Sequence, residues 1–198
     1  KMFQVMKVYE QKDPTQLKGI INKQNEFEEN PFGELTIWEL PKPHWHDRYV
    51  VSLDPSYGIE QGDYACMFVF DRVEKRFVAK WYGNQKEDIL AEEMSKLGYF
   101  YNNALLVPEV NLRTVVTLIR PNGMIPYEGR IYTYAVKSRN GAMEYGYHTY
   151  GPNRGVLLNN YNRWLRDDYF KIPDLESLKE HITFVKKVTR QTPKYEAA

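Results

Sequence analysis

Two short apolar runs in this sequence each end on a carboxylic acid. YVVSLDPSYG leads into Asp54, and ALLVPEVN leads into Glu109. Between them, GDYACMFVFD places Asp63 just ahead of a further apolar run. A right-handed crossover between the two acid-ending strands would set them side by side and parallel. Both acids would then emerge at the edge of the sheet where open α/β sheets bind ligands. Two carboxylates that close repel each other, and a divalent cation offsets the repulsion. Oxygen donors without Cys or His suit Mg²⁺ or Mn²⁺ rather than Zn²⁺. A pair of such ions can clamp the attacking and leaving oxygens of a phosphodiester displacement. The same residues have a plainer use, because an acid at a strand end also serves as a turn or cap. Spacing alone leaves both readings open.

The elements that must position these acids follow from periodicity. Alternating or continuous apolar runs predict strands over 34–40, 48–54, 64–71, 76–83 and 104–107, with 72–75 as a hairpin connection. Ile89, Leu90, Met94, Leu97 and Tyr101 put one apolar stripe on a helix over 86–102. A second helix is expected in NLRTVVTLIRPNG, stopped by Pro121 and Gly123, and a strand over 130–136. A Gly-rich, mobile connector is expected over 137–154, then an amphipathic helix over 156–170. Asp174 caps a last helical or helix-to-strand segment. The order predicts an α/β fold with a mixed central sheet and flanking helices. Residues 1–33 are polar and broken by Pro14, Gly19, Pro31 and Gly33. They read as an arm or linker, with Asp13-Pro14 capping a short helix towards Phe27.

A length of 198 residues suits one core. With 42% hydrophobic and 15% aromatic residues, disorder over most of the chain is excluded. A net charge of +1 gives no global attraction to polyanions, so a nucleic-acid site must be a local cluster. The positives that gather with glycines are Lys137, Arg139 and Arg154, with His148 among them. Arg163, Arg166, Lys186, Lys187 and Arg190 are further candidates. The single Cys66 rules out an intrachain disulfide and reads as a small buried hydrophobe. No apolar run approaches a membrane span, and no membrane partner is expected. No G-x-x-x-x-G-K-[ST] motif occurs, which excludes P-loop ATP hydrolysis. His44 and His46 read as surface-loop residues, His181 as structural, and Asp167 and Asp168 as a solvated helix end.

Three blocks carry a resemblance: YVVSLDPSYG…GDYACMFVFD, then WYGN…ILAEEMSKLGYFYNNALLVPEVN, then YGYHTYGPNRGVLLNNYNRWLRDDYFKIPDLESLKEHITFV. In this order they resemble the C-terminal nuclease domain of large terminase subunits, the DNA-packaging proteins of tailed bacteriophages. FGELTIWELPKP resembles the lead-in from the ATPase half, so the resemblance runs from about residue 30 to the end. It implies an RNase H-like fold and endonucleolytic cleavage of concatemeric double-stranded viral DNA during packaging. It also implies one or two Mg²⁺ or Mn²⁺ ions, action in the host cell cytoplasm, and the portal protein and small terminase subunit as partners. Asp54 and Glu109 match the catalytic metal ligands, and Asp63 matches a supporting acid. Residues 1–33 would be the arm from an absent ATPase domain and 34–198 the nuclease domain. The family's remaining acid lies in a Gly-x-His-Asp-Asp block after a segment like TPKYEAA. It is therefore expected beyond Ala198, and this piece is expected to be inactive without it. Two other readings share the residues: a resolvase- or integrase-type RNase H-like nuclease, and a non-catalytic module docking a packaging motor on DNA or portal.

Overall fold

The computed structural model describes residues 16–43, 47–59, 62–136, 141–188 and 193–197. Seven strands form one sheet: β1 (Leu17–Ile21), β2 (Phe27–Glu29), β3 (Leu35–Ile37), β4 (Tyr49–Asp54), β5 (Ala65–Asp71), β6 (Arg76–Gly83) and β7 (Leu105–Pro108). Their order is β2-β1-β3-β6-β5-β4-β7. Only β4 and β7 pair in parallel; the other neighbours are antiparallel. Antiparallel strands can be joined by a short turn, whereas a parallel pair needs a crossover. Helix α1 (Glu87–Phe100) supplies it, carrying the chain from β6 to the far side of β4.

Alternation along the strands divides the side chains between two faces. In β5, Ala65, Met67 and Val69 are buried while Cys66, Phe68 and Phe70 are half-buried. The first face joins Val51, Leu53, Met67, Val69 and Trp81 to Leu90, Met94 and Leu97 of α1 and to Val115 and Ile119 of α2 (Arg113–Ile119). On the second face Phe70 and Phe77 pack against a smaller cluster of Leu165, Phe170, Ile172 and Leu178. That cluster is supplied by α3 (Gly151–Arg166), α4 (Leu175–Thr183) and the segment between them. Lys80 is buried on β6, and its Nζ lies 2.7 Å from Glu176 and 3.3 Å from Asp174, which ties the start of α4 to the sheet.

Three expectations change. The segment expected as an arm with a helix towards Phe27 instead gives β1 and β2, so the sheet begins at Leu17. The reason is tertiary: β1 pairs with β3, and Gly19 lies so close to β2 that a Cβ there would sit 2.1 Å from the Glu28 carbonyl oxygen. Asp13 and Pro14, with His44 and His46, lie outside the described residues. The strand expected over 130–136 joins the main sheet only through an Ile131–Leu106 bridge. Its main part, β8 (Thr133–Val136), pairs with β9 (Ala142–Tyr145) in a separate ladder. The helix expected from 156 begins at Gly151, where Pro152 suits a first turn that has no use for its missing N–H. A last ladder joins β10 (Phe184–Val188) and β11 (Pro193–Ala197).

The approach to β4 is held by a buried ion pair. Arg48 Nη2 lies 2.6 Å from Asp71 Oδ2, with side-chain exposures of 4% and 1%. Asp71 Oδ1 accepts the backbone N–H groups of Val73 and Glu74 at 2.9 and 3.1 Å, closing the β5–β6 turn. Asp71→Ala leaves the buried Arg48 with only the longer contact to Glu74, at 3.3 Å, and frees two turn N–H groups, so it is expected to cost about 3 kcal/mol. Urea unfolding followed by circular dichroism measures this, and a loss below about 1 kcal/mol contradicts the assignment.

Candidate metal centre

Asp54 is the last residue of β4, and Glu109 directly follows β7. The parallel register sets Leu53 opposite Pro108, and the Glu109 N–H donates to the Leu53 carbonyl at 2.9 Å. The next residue on each strand is therefore level with the other, and the two carboxyl groups reach hydrogen-bonding contact. Asp54 is exposed at its outer side. Even so, loss of hydration, then the Glu109 charge and the shared hydrogen bond, push its pKa up to about 6. Arg154 draws it down, and Asp63 pushes it up by a smaller amount.

Rigid backbone surrounds both acids. After Asp54 the chain turns at Gly58, whose φ is +61° and where a Cβ would lie 2.5 Å from the Gln85 carbonyl oxygen. Only glycine meets both demands. The Asn84 amide donates to the Ile59 carbonyl at 2.8 Å and braces this turn against the end of β6. On the other side, Asn111 Nδ2 donates to Glu109 Oε1 at 2.7 Å. Tyr147 brackets Glu109 from a third segment: its N–H donates to the Pro108 carbonyl at 2.7 Å, and its carbonyl accepts the Val110 N–H at 2.9 Å. Asn153 then fixes the entry into α3, donating to the His148 carbonyl at 2.6 Å and accepting the Tyr150 N–H at 2.8 Å. This brings Arg154, in the first turn of α3, to the acids.

The structure thus brings together Asp54, Glu109 and Arg154, with Asp63 acting on Asp54 through its charge. Asp63 is exposed, two residues ahead of β5. The exposed His148 ring lies between Tyr134 and Tyr150, at 6.1 and 5.6 Å. Lys137, Arg139 and Arg190 lie outside the described residues, as do the side chains of Lys186 and Lys187. Arg163 and Arg166 are exposed further along α3. Asp174 is occupied as a cap, accepting the Ser177 N–H at 2.9 Å. His181 packs against Tyr161, with ring centroids 5.7 Å apart. Cys66 pairs across the ladder with Asp54, and burial pushes its thiol up to about 12, so it stays neutral near the acids. Among the described residues no group of three or more Asp, Glu, His or Cys side chains is placed to hold a metal. What is assembled is an oxygen-donor pair with a guanidinium nearby, which suits a hard cation and a phosphate. Sequence reading missed Asn111 and Asn153. The signal was an Asn two residues after Glu109 and an Asn inside a Pro-containing helix start.

No protein-family model matches the chain, and no curated protein matches it in sequence. Solved structures do match. The large terminase nuclease from thermophilic phage G20c is 12% identical, with a TM-score of 0.61, over 98% of this chain and 86% of that one. The same nuclease with bound magnesium gives 13% identity and a TM-score of 0.61, over 98% and 86% of the two chains. The large terminase nuclease domain of Thermus phage P74-26 also gives 13% and 0.61, over 98% and 83%. The chain has the RNase H-like α/β fold of phage large terminase nuclease domains.

Proposed function

We propose that this chain is the nuclease part of a phage large terminase, a metal-dependent endonuclease that cuts concatemeric double-stranded DNA during genome packaging. The observation that carries the reading is the Asp54–Glu109 pair at the ends of parallel strands, on a fold shared with terminase nucleases. The donor set fits a divalent cation, since two carboxyls in contact hold an Asp pKa near 6 and leave negative charge to be offset. Asp54 and Glu109 would hold Mg²⁺ or Mn²⁺, as one or two ions, with Asp63 as a supporting acid. When bound, the ion would lower the pKa of a coordinated water and offset charge on the phosphate. Asn111 orients Glu109 by its hydrogen bond. Arg154, and in the same reading His148, Lys137 and Arg139, would contact the DNA backbone independently of sequence. The portal protein, the small terminase subunit and the host cytoplasm belong to this proposal. A non-catalytic docking module is the second reading, favoured by the pairing of only two acids among the described residues.

Two measurements test the proposal. In a protein extended past Ala198, Asp54→Ala is expected to reduce Mn²⁺-dependent plasmid nicking by more than about 100-fold. The melting temperature should change little, because Asp54 is exposed; persistent cutting contradicts the assignment. The Asp54 pKa also sets a pH dependence. An acid whose pKa is raised to about 6 holds its proton below that value, and the proton competes with the cation. Calorimetric Mn²⁺ affinity is therefore expected to be flat above about pH 7 and to fall about tenfold per unit below pH 6. A flat profile down to pH 5 contradicts Asp54 as a ligand.

A further inference from the structure

The strand end that carries Glu109 continues through Val110 into a groove of about 300 Å³, between α2 and the β8–β9 ladder. Its floor depends on a close approach. At Gly146 φ is +90°, and a Cβ would lie 2.3 Å from Val110 Cγ1 and 3.0 Å from the Pro108 carbonyl oxygen. Glycine therefore lets the ladder press against the end of β7. One wall is a face of α2 bearing Arg113 and Thr117, at i and i+4, with Arg120 next after the helix end, where the backbone becomes extended. Its opposite face, with Val115 and Ile119, is in the core. At 1.5 Å per residue the two arginines stand about 10 Å apart along the axis. That is about the axial rise of three nucleotides of one strand. The other wall supplies Tyr134 and Glu144.

The charges in the groove do not balance. Glu144 lies 4.0 Å from Arg113 and accepts the Tyr134 hydroxyl at 3.1 Å. Arg120 is exposed, and its side chain has no ion-pair partner among the described residues. Among the groove's described residues two guanidinium groups thus stand against one carboxylate, while the Thr117 and Tyr134 hydroxyls already donate, to the Arg113 carbonyl and to Glu144. This is a donor set for a phosphate, because planar guanidinium groups match its oxygens in pairs.

We propose that this groove binds backbone phosphate of the DNA strand that passes over the acid pair. The proposal rests on the nuclease reading of Asp54 and Glu109 and adds the track on which the substrate lies. It explains why a positive groove begins at the residue after a metal-ligating Glu. It also assigns Glu144 a role, as the group that limits affinity for the strand. A groove serving only to clip the ladder to α2 would use the Arg113–Glu144 pair and leave Arg120 idle.

The test measures binding of a short fluorescent duplex by anisotropy across a salt series, for wild type, Arg113→Gln, Arg120→Gln and Glu144→Gln. Mn²⁺ binding, followed by its paramagnetic relaxation, is measured on each. The altered side chains stand on the groove's surface, and melting curves check that each variant folds. Each Arg variant is expected to weaken duplex binding several-fold and to reduce the salt slope by about 1. Glu144→Gln is expected to tighten duplex binding, and Mn²⁺ binding should be unchanged in all three. If wild type binds Mn²⁺ and duplex while both Arg variants keep its affinity and slope, the groove proposal alone is overturned. If Glu144→Gln weakens duplex binding, the clip reading replaces it. If Arg120→Gln abolishes binding of free ATP and leaves duplex binding unchanged, the groove holds a nucleotide and the DNA assignment is overturned. If wild type binds neither duplex nor Mn²⁺, the nuclease reading falls and the groove with it.

Discussion

The parallel pairing of β4 with β7 is the constraint on which the rest depends. One backbone hydrogen bond, from the Glu109 N–H to the Leu53 carbonyl, fixes the register in which two acids stand side by side. A slip of one residue would turn one of them to the opposite face of the sheet. The register is therefore protected from both sides. Leu53, Val51 and Leu106 are anchored in the main core, and Tyr147 pairs with both Pro108 and Val110 across the outer edge. A parallel pair cannot be closed by a short turn, so α1 has to cross over, and its apolar stripe becomes the cover of the sheet.

The electrostatic cost of this arrangement is visible in Asp54. Its pKa is raised first by loss of hydration and then by the Glu109 charge beside it. Around this excess of negative charge, the nearby cation is Arg154, carried in on the first turn of α3 by the Asn153 cap. The second face of the sheet handles charge differently. Lys80 is buried but satisfied by Asp174 and Glu176, so these acids hold α4 in place and are not free for chemistry. The same residue types thus serve opposite ends. Paired with a cation they fix structure, and paired with each other they leave negative charge to be offset.

Much of this was legible in the sequence, for a physical reason in each case. Strand β5 alternates buried and half-buried side chains, so its period of two survives in the letters. The stripe Leu90, Met94, Leu97 marked α1 because a single face of that helix meets the core. Asp54 and Glu109 stood out because each interrupts an apolar run at its end. What was not legible depends on partners distant in sequence. β1 and β2 are short and broken by Gly19 and by polar residues, and the pairing of β1 with both β2 and β3 makes them strands. Strand β9 reads as loop because Gly141 and Gly146 flank it. The roles of Asn111 and Asn153 emerge only once Glu109 and the start of α3 are placed. Asp174 could be read as a cap from its position before a helical segment, but its tie to Lys80 depends on β6 and appears only in the fold.

The central claim is that Asp54 and Glu109 together form a divalent-cation site. Anomalous X-ray diffraction from crystals soaked in Mn²⁺ tests it most directly. The account predicts an anomalous peak within coordination distance of both carboxyl groups, about 2–2.5 Å, and its loss in Glu109→Ala. A peak elsewhere, or none at a Mn²⁺ concentration that saturates binding in solution, would contradict it.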